Sequence, residues 1–167
     1  MVLTDIGNSP VRILLVDDYE PWRQQIRSML ETRPELQIIG EALDGLEAVQ
    51  KAEELNPDLI LLDISLPTLD GIEAASRISH IVPGSKILFV STNTEADLVR
   101  VALSNGALGY VLKADAGSEL LPAIKAVLQG NRFVSRRIKE DDCGGDHCSG
   151  DDCSDTEDTE VLLCGRQ

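Results

Sequence analysis

The sequence predicts an α/β protein built on a doubly wound, five-stranded parallel sheet with helices on both faces. Two observations predict it. Short apolar runs at 11–16, 37–41, 59–62, 86–90 and 109–112 alternate with segments of helical period. Several runs are continuously apolar rather than alternating, which suits strands buried on both faces of a parallel sheet.

The helical segments follow in order. Trp22, Ile26, Met29 and Leu30 fall at i, i+4, i+7 and i+8, with Pro21 suited to a first turn. Asp44 and Glu47 form a variant capping box that opens a helix through Ala48, Ala52 and Leu55. Residues 71–81 and 94–104 are shorter amphipathic candidates. Leu120, Ile124, Val127 and Leu128 make the last stripe, which Gly130 stops. Right-handed crossovers restrict the topology, and the functional crevice of such a sheet lies beyond the carboxyl ends of its strands.

A chain of 167 residues allows one ordinary domain. No apolar run approaches the roughly 18 to 20 residues of a membrane span, and the first ten residues lack the pattern of a signal peptide. A cytoplasmic location is the expectation. The net charge of −14 is unevenly spread: residues 140–167 hold ten acidic residues and one basic residue. Neither that tail nor the mildly acidic body has the clustered Lys and Arg of a nucleic-acid surface. All four cysteines (Cys143, Cys148, Cys153 and Cys164) lie in the tail, where 141–155 reads as three imperfect five-residue repeats, DDCGG, DHCSG and DDCSD. A segment so acidic and so poor in apolar residues is expected to be disordered. His147 among those cysteines invites a metal reading, but the Cys-x4-Cys spacing is not that of a zinc ribbon.

The chemistry sits at the strand ends. Asp17 and Asp18 follow the first strand, Asp63 the third, Ser91 the fourth and Lys113 the fifth. Singly, each has an ordinary reading: a solvated Asp-Asp turn, a surface lysine, a hydroxyl bonding its own backbone. Jointly they place three carboxylates at one sheet edge, where they repel one another unless a cation lies among them. Magnesium suits carboxylate oxygens and completes its shell with water and phosphate. A carboxylate beside it can attack a phosphoryl group, with Lys and Ser as electrostatic donors.

The motifs LLVDD, LILLDISLPTLDG, ILFVST and GYVLKAD resemble those of the two-component response regulator receiver family. The stretches IIGEALDGLEAV and LSNGALGYVLKAD are similar to its NarL-type branch. The likeness spans about residues 11–130 and implies a flavodoxin-like strand order 2-1-3-4-5. It divides the chain into an N-terminal extension (1–10), a receiver (11–131) and an acidic tail (132–167). By resemblance, Asp63 accepts phosphate from a histidine kinase or phosphotransfer protein. Asp18 binds Mg2+ directly, Asp17 helps through water, and the Ser65 backbone carbonyl is the remaining protein ligand. Lys113 pairs with the phosphoryl oxygens, Ser91 hydrogen-bonds to one of them, and Tyr110 is the aromatic that swings inward. The switching face is the fourth helix, fifth strand and fifth helix. Leu66 and Leu69 replace common methionines, and Ala114 stands where many members carry proline.

Rival readings separate on the same residues. A haloacid-dehalogenase-type phosphohydrolase needs a second Asp where this chain has Ser65, and no phosphate-binding glycine loop occurs. The chain is therefore expected to catalyse no more than its own phosphorylation and dephosphorylation. Its output stays open. NarL-type members carry a helix-turn-helix domain of about sixty residues, whereas 37 residues follow Gly130 here. One alternative is a stand-alone receiver acting on a downstream protein partner. Another is a truncated NarL-type transcription regulator, and a third is a metal-binding tail on a degenerate receiver. DNA binding by this chain alone and membrane association are not expected; homodimerisation through the switching face is an option.

Overall fold

The computed structural model of the protein describes residues 9–138. Most of the N-terminal extension, and the tail from residue 139 onward with its cysteines and His147, lie outside the described residues. The elements run β1 (Val11–Val16), α1 (Glu20–Glu31), β2 (Leu36–Ala42), α2 (Gly45–Leu55), β3 (Leu59–Leu62), α3 (Gly71–Ile81), β4 (Lys86–Ser91), α4 (Ala96–Ser104) and β5 (Gly109–Leu112). A 3-10 turn (Lys113–Asp115) then leads into α5 (Ala116–Leu128) and a short β6 (Phe133–Val134). All pairs are parallel, and the sheet order is β2-β1-β3-β4-β5-β6.

Side-chain alternation along the strands explains the two layers of core. Leu14, Val16, Ile60, Leu62, Ile87, Phe89, Tyr110 and Leu112 face the layer made by α2, α3 and α4. Their neighbours Ile13, Leu15, Leu59, Leu61, Leu88, Val90 and Val111 face α1 and α5. Every one of these is buried, so β1, β3, β4 and β5 read as unbroken apolar runs. Helix starts follow local chemistry. Asp44 accepts a bond from the Glu47 amide at 2.8 Å while the Glu47 carboxylate accepts one from the Leu43 amide at 2.9 Å. Asp70 caps α3 through the Glu73 amide at 2.9 Å.

The fold runs further than the boundary at 131. β6 pairs with β5, and the segment behind it is seated rather than loose: Ile138 is 3% exposed within the core. Ser135, fully buried, holds this strap. Its amide donates to the Tyr110 carbonyl at 2.9 Å, and its Oγ accepts from the Leu112 amide at 2.8 Å and donates to the Glu119 carboxylate. Two residues of strand are too short to show a period, and the family resemblance ends at about residue 130, so the sequence gives no sign of this strand. Ser135→Ala leaves the Leu112 amide buried without its partner and is expected to cost about 1–3 kcal/mol. A lower urea midpoint at unchanged m-value is the measurement.

Candidate functional site

The strand order reverses between β1 and β3, and the crevice that such a reversal leaves lies at the carboxyl ends of both. Val16 and Leu62 are register partners, so the next residues, Asp17 and Asp63, emerge side by side. On the other flank Ser91 pairs in register with Leu112, which places Lys113 beside the same edge. The structure brings these together closely. The Lys113 ammonium lies 2.6 Å from Asp17 Oδ2 and 3.4 Å from Asp63 Oδ2. One carboxylate oxygen from each of Asp17, Asp18 and Asp63 falls within 4.8 Å of the others.

Each carboxylate is aimed by its own loop. Asp17 accepts the Tyr19 amide at 2.9 Å through its other oxygen, and Asp63 accepts the Ile64 amide at 2.8 Å. Asp17 and Asp63 are buried, 1% and 6% exposed, and Asp18 is exposed. Burial pushes the Asp63 carboxyl up from its ordinary 3.8 to about 6; Lys113 opposes that rise and the Asp17 charge adds to it. The donor set fits a small hard dication: three carboxylates gathered at one edge, one of them open to water. The loop after Asp63 is tightly wound. Gly71 donates to the Ile64 carbonyl at 2.8 Å, and Thr68 takes a φ of 68°, a left-handed conformation uncommon for a β-branched residue. Ser65 lies exposed in this loop, two residues beyond Asp63.

On the β4–β5 side, Ser91 is 1% exposed and its Oγ accepts from the Asn93 amide at 3.2 Å. Tyr110 is fully buried, in the inward orientation, its ring tilted against Phe89 with centroids 6.2 Å apart. Its hydroxyl donates to the Asn93 carbonyl at 2.9 Å, so a single loop residue is bonded to both Ser91 and Tyr110. The 3-10 turn at Lys113–Asp115 occupies the position of the proline that Ala114 replaces.

Two residues were not assigned to the site from sequence. Trp22, read as an amphipathic anchor of α1, is 9% exposed and carries the Lys113 ammonium 5.2 Å from its ring centroid. Arg23, beside it, is buried and donates to the Asp17 carbonyl at 2.8 Å. No local signal marks Arg23 in the sequence, where it stands five residues after Asp18 as one of several polar residues on α1.

A doubly wound sheet with an acid triad and a lysine at its switch point is the architecture of a phosphoacceptor domain, and comparison with known proteins agrees. The sequence profile of the response regulator receiver domain matches residues 13–125, and the chain belongs to that family. Transcriptional regulatory protein LiaR of Bacillus subtilis is 39% identical over 128 residues, covering 77% of this chain and 61% of the relative. Response regulator protein VraR of Staphylococcus aureus is 36% identical over 128 residues, with the same coverage of 77% and 61%. Among solved structures, a LuxR-family response regulator from Aurantimonas superposes with a TM-score of 0.75 at 36% identity, covering 79% of this chain and 94% of that one. The receiver domain of Thermotoga maritima CheB gives 0.68 at 34% identity, covering 72% and 97%. The chain spans about three fifths of the curated relatives' length. Phosphorylation and Mg2+ binding at an acidic pocket are general in this family, as is its place in two-component signalling. No helix among the described residues is long and apolar enough to cross a membrane.

Proposed function

We propose that Asp63 is the phosphoacceptor of a two-component phosphorelay. The observation that carries this is Lys113 lodged between Asp17 and Asp63 with Asp18 alongside. An Asp63 oxygen attacks the phosphorus of a phosphohistidine on a sensor kinase or phosphotransfer protein; the P–N bond breaks and the imidazole leaves. Asp17, Asp18, Asp63 and the Ser65 carbonyl would hold Mg2+, which supplies charge neutralisation at the transferring phosphoryl group. Lys113 turns from Asp17 to a phosphoryl oxygen, and the Ser91 hydroxyl donates to another. Withdrawing Ser91 Oγ from the Asn93 amide loosens the loop that also bonds Tyr110. The state of Asp63 is thereby transmitted to the α4–β5–α5 face, on which a downstream partner or a second copy is read. Apart from this self-directed chemistry the chain has no enzymatic role in our reading, and it acts in the cytoplasm.

The experiment is labelling by acetyl phosphate with and without Mg2+, on wild type and Asp63→Asn. Mg2+-dependent incorporation in wild type and none in the variant is expected. Equal labelling of the two proteins would move the acceptor elsewhere. For output we favour contact with a protein partner. A second reading, control of DNA by the whole protein, draws on relatives that are transcriptional regulatory proteins. Salt-sensitive, sequence-specific binding of duplex DNA would establish that second reading for this chain.

A further inference from the structure

The acidic loop is held from behind by a residue that touches neither phosphate nor metal in the reading above. Arg23 projects from α1 into the space between α1, β2 and the β1–α1 loop, with its side chain 9% exposed. Its three donor positions go to three different partners. NH1 donates to the Asp17 carbonyl at 2.8 Å, Nε to Glu41 at 2.9 Å, and NH2 to Glu20. Glu41 belongs to β2 and is itself tied to α1 by Arg27, and its own backbone carbonyl accepts the Lys51 ammonium of α2 at 2.6 Å.

Two physical consequences follow. First, the Asp17–Asp18 peptide is gripped at its carbonyl while Lys113 and the Tyr19 amide take the Asp17 carboxylate. Main chain and side chain are thus pinned separately, and the direction in which Asp18 leaves the loop is set. Second, a buried cation beside a dication site would weaken metal binding by repulsion. Glu20 and Glu41 neutralise Arg23 locally, so the grip is obtained without that penalty. Lysine cannot substitute: one ammonium lacks the planar fork that reaches acceptors on a loop, a strand and a helix together.

We infer that Arg23, set by Glu41, is a positioning residue for the divalent-cation site, presenting Asp17 and Asp18 at the spacing the ion requires. This rests on the metal reading of the acid triad. The test is the Mg2+ dissociation constant, measured by calorimetry and by fluorescence of Trp22, the sole tryptophan, which lies beside Lys113. Wild type, Arg23→Lys, Glu41→Gln and Leu30→Ala are compared at a temperature where all are folded by circular dichroism. Leu30 is buried on the same helix and is not among the acid-site residues, so its variant reports general loosening of α1.

Arg23→Lys and Glu41→Gln should each weaken Mg2+ binding at least tenfold, the lower end of the usual range for groups that orient metal ligands. Leu30→Ala should keep the wild-type constant although it melts lower. Wild-type constants in Arg23→Lys and Glu41→Gln would overturn the assignment while leaving the metal site standing. Equal weakening in Leu30→Ala would reduce Arg23 to a stabiliser of the helix and also overturn it. Absence of Mg2+ binding in wild type would remove the metal reading itself, and the assignment with it.

Discussion

Replacing Lys113 with methionine should destabilise the metal-free protein by about 3–5 kcal/mol at pH 7.5, because it leaves buried carboxylates without their counter-charge. Lys113 is the cation that faces both Asp17 and Asp63, at 2.6 and 3.4 Å. Methionine keeps the apolar stem against Trp22, so the loss is chiefly electrostatic. The pH dependence has a definite sign. Burial already holds the folded Asp63 carboxyl at about 6, above 3.8 in an ordinary setting, so between these values the folded protein binds more protons than the unfolded chain. The stability linked to Asp63 is therefore full at low pH and lost as pH rises through about 6. Without Lys113 that carboxyl rises further and the loss above it deepens. The variant should recover toward wild type near pH 5, and should recover at pH 7.5 when Mg2+ is added, since a ligand of the folded state stabilises by mass action. Its Mg2+ affinity should exceed that of wild type, because no ammonium competes for the carboxylates. Urea titrations at the two pH values, with and without Mg2+, measure all three effects. Unchanged stability at pH 7.5 without metal would show that the two aspartates are compensated by other groups.

Gly71→Ala is expected to cost about 3 kcal/mol or more, at the upper end of overpacking penalties. A Cβ there would lie 2.0 Å from the Asp63 carbonyl oxygen and 2.7 Å from the Ile64 Cα. Both obstacles are backbone, so neither can rotate away. Either α3 lifts from the sheet or the Asp63–Ile64 peptide shifts, and the second response moves the Asp63 carboxylate, whose oxygen is held by the Ile64 amide. The variant should therefore lose labelling by acetyl phosphate as well as stability. Gly117→Ala is the control, because nothing lies within 4 Å of a Cβ at that helical position. It should be neutral or stabilising by up to about 1 kcal/mol. If both alanine variants behaved alike, the close approach of α3 to the Asp63–Ile64 backbone would be wrong.

Much of the fold was legible because its signals are local. An apolar run flanked by helical stripes needs no knowledge of distant residues, and burial on both faces makes that signal strong at β1, β3, β4 and β5. The aspartates, Ser91 and Lys113 were legible for the same reason: each directly follows, or ends, such a run. The parallel sheet then converts four separate positions in sequence into one edge. Asp44 and Glu47 announced the start of α2, since capping is a contact three residues long.

What the tertiary structure alone decided depends on contacts that cross the chain. β6 exists because the edge of β5 offers free peptide groups, and the Leu112 amide and Glu119 carboxylate, 23 and 16 residues from Ser135, complete its anchorage. Nothing in the composition of 132–138 encodes those partners. Arg23 reads in sequence as one more polar residue in a helix; its role appears only when Glu41, 18 residues away on β2, and the Asp17 carbonyl converge on it. Gly71 reads as an ordinary helix start, and only the packing of α3 shows that there is no room there for a methyl group. The sequence by itself determined the layers and the acidic edge, because strand burial and strand-end placement are local properties. The spacing of the carboxylates, the cation between them and the supports behind them were decided by the fold, because electrostatic and steric terms at a few ångströms depend on which distant residues meet.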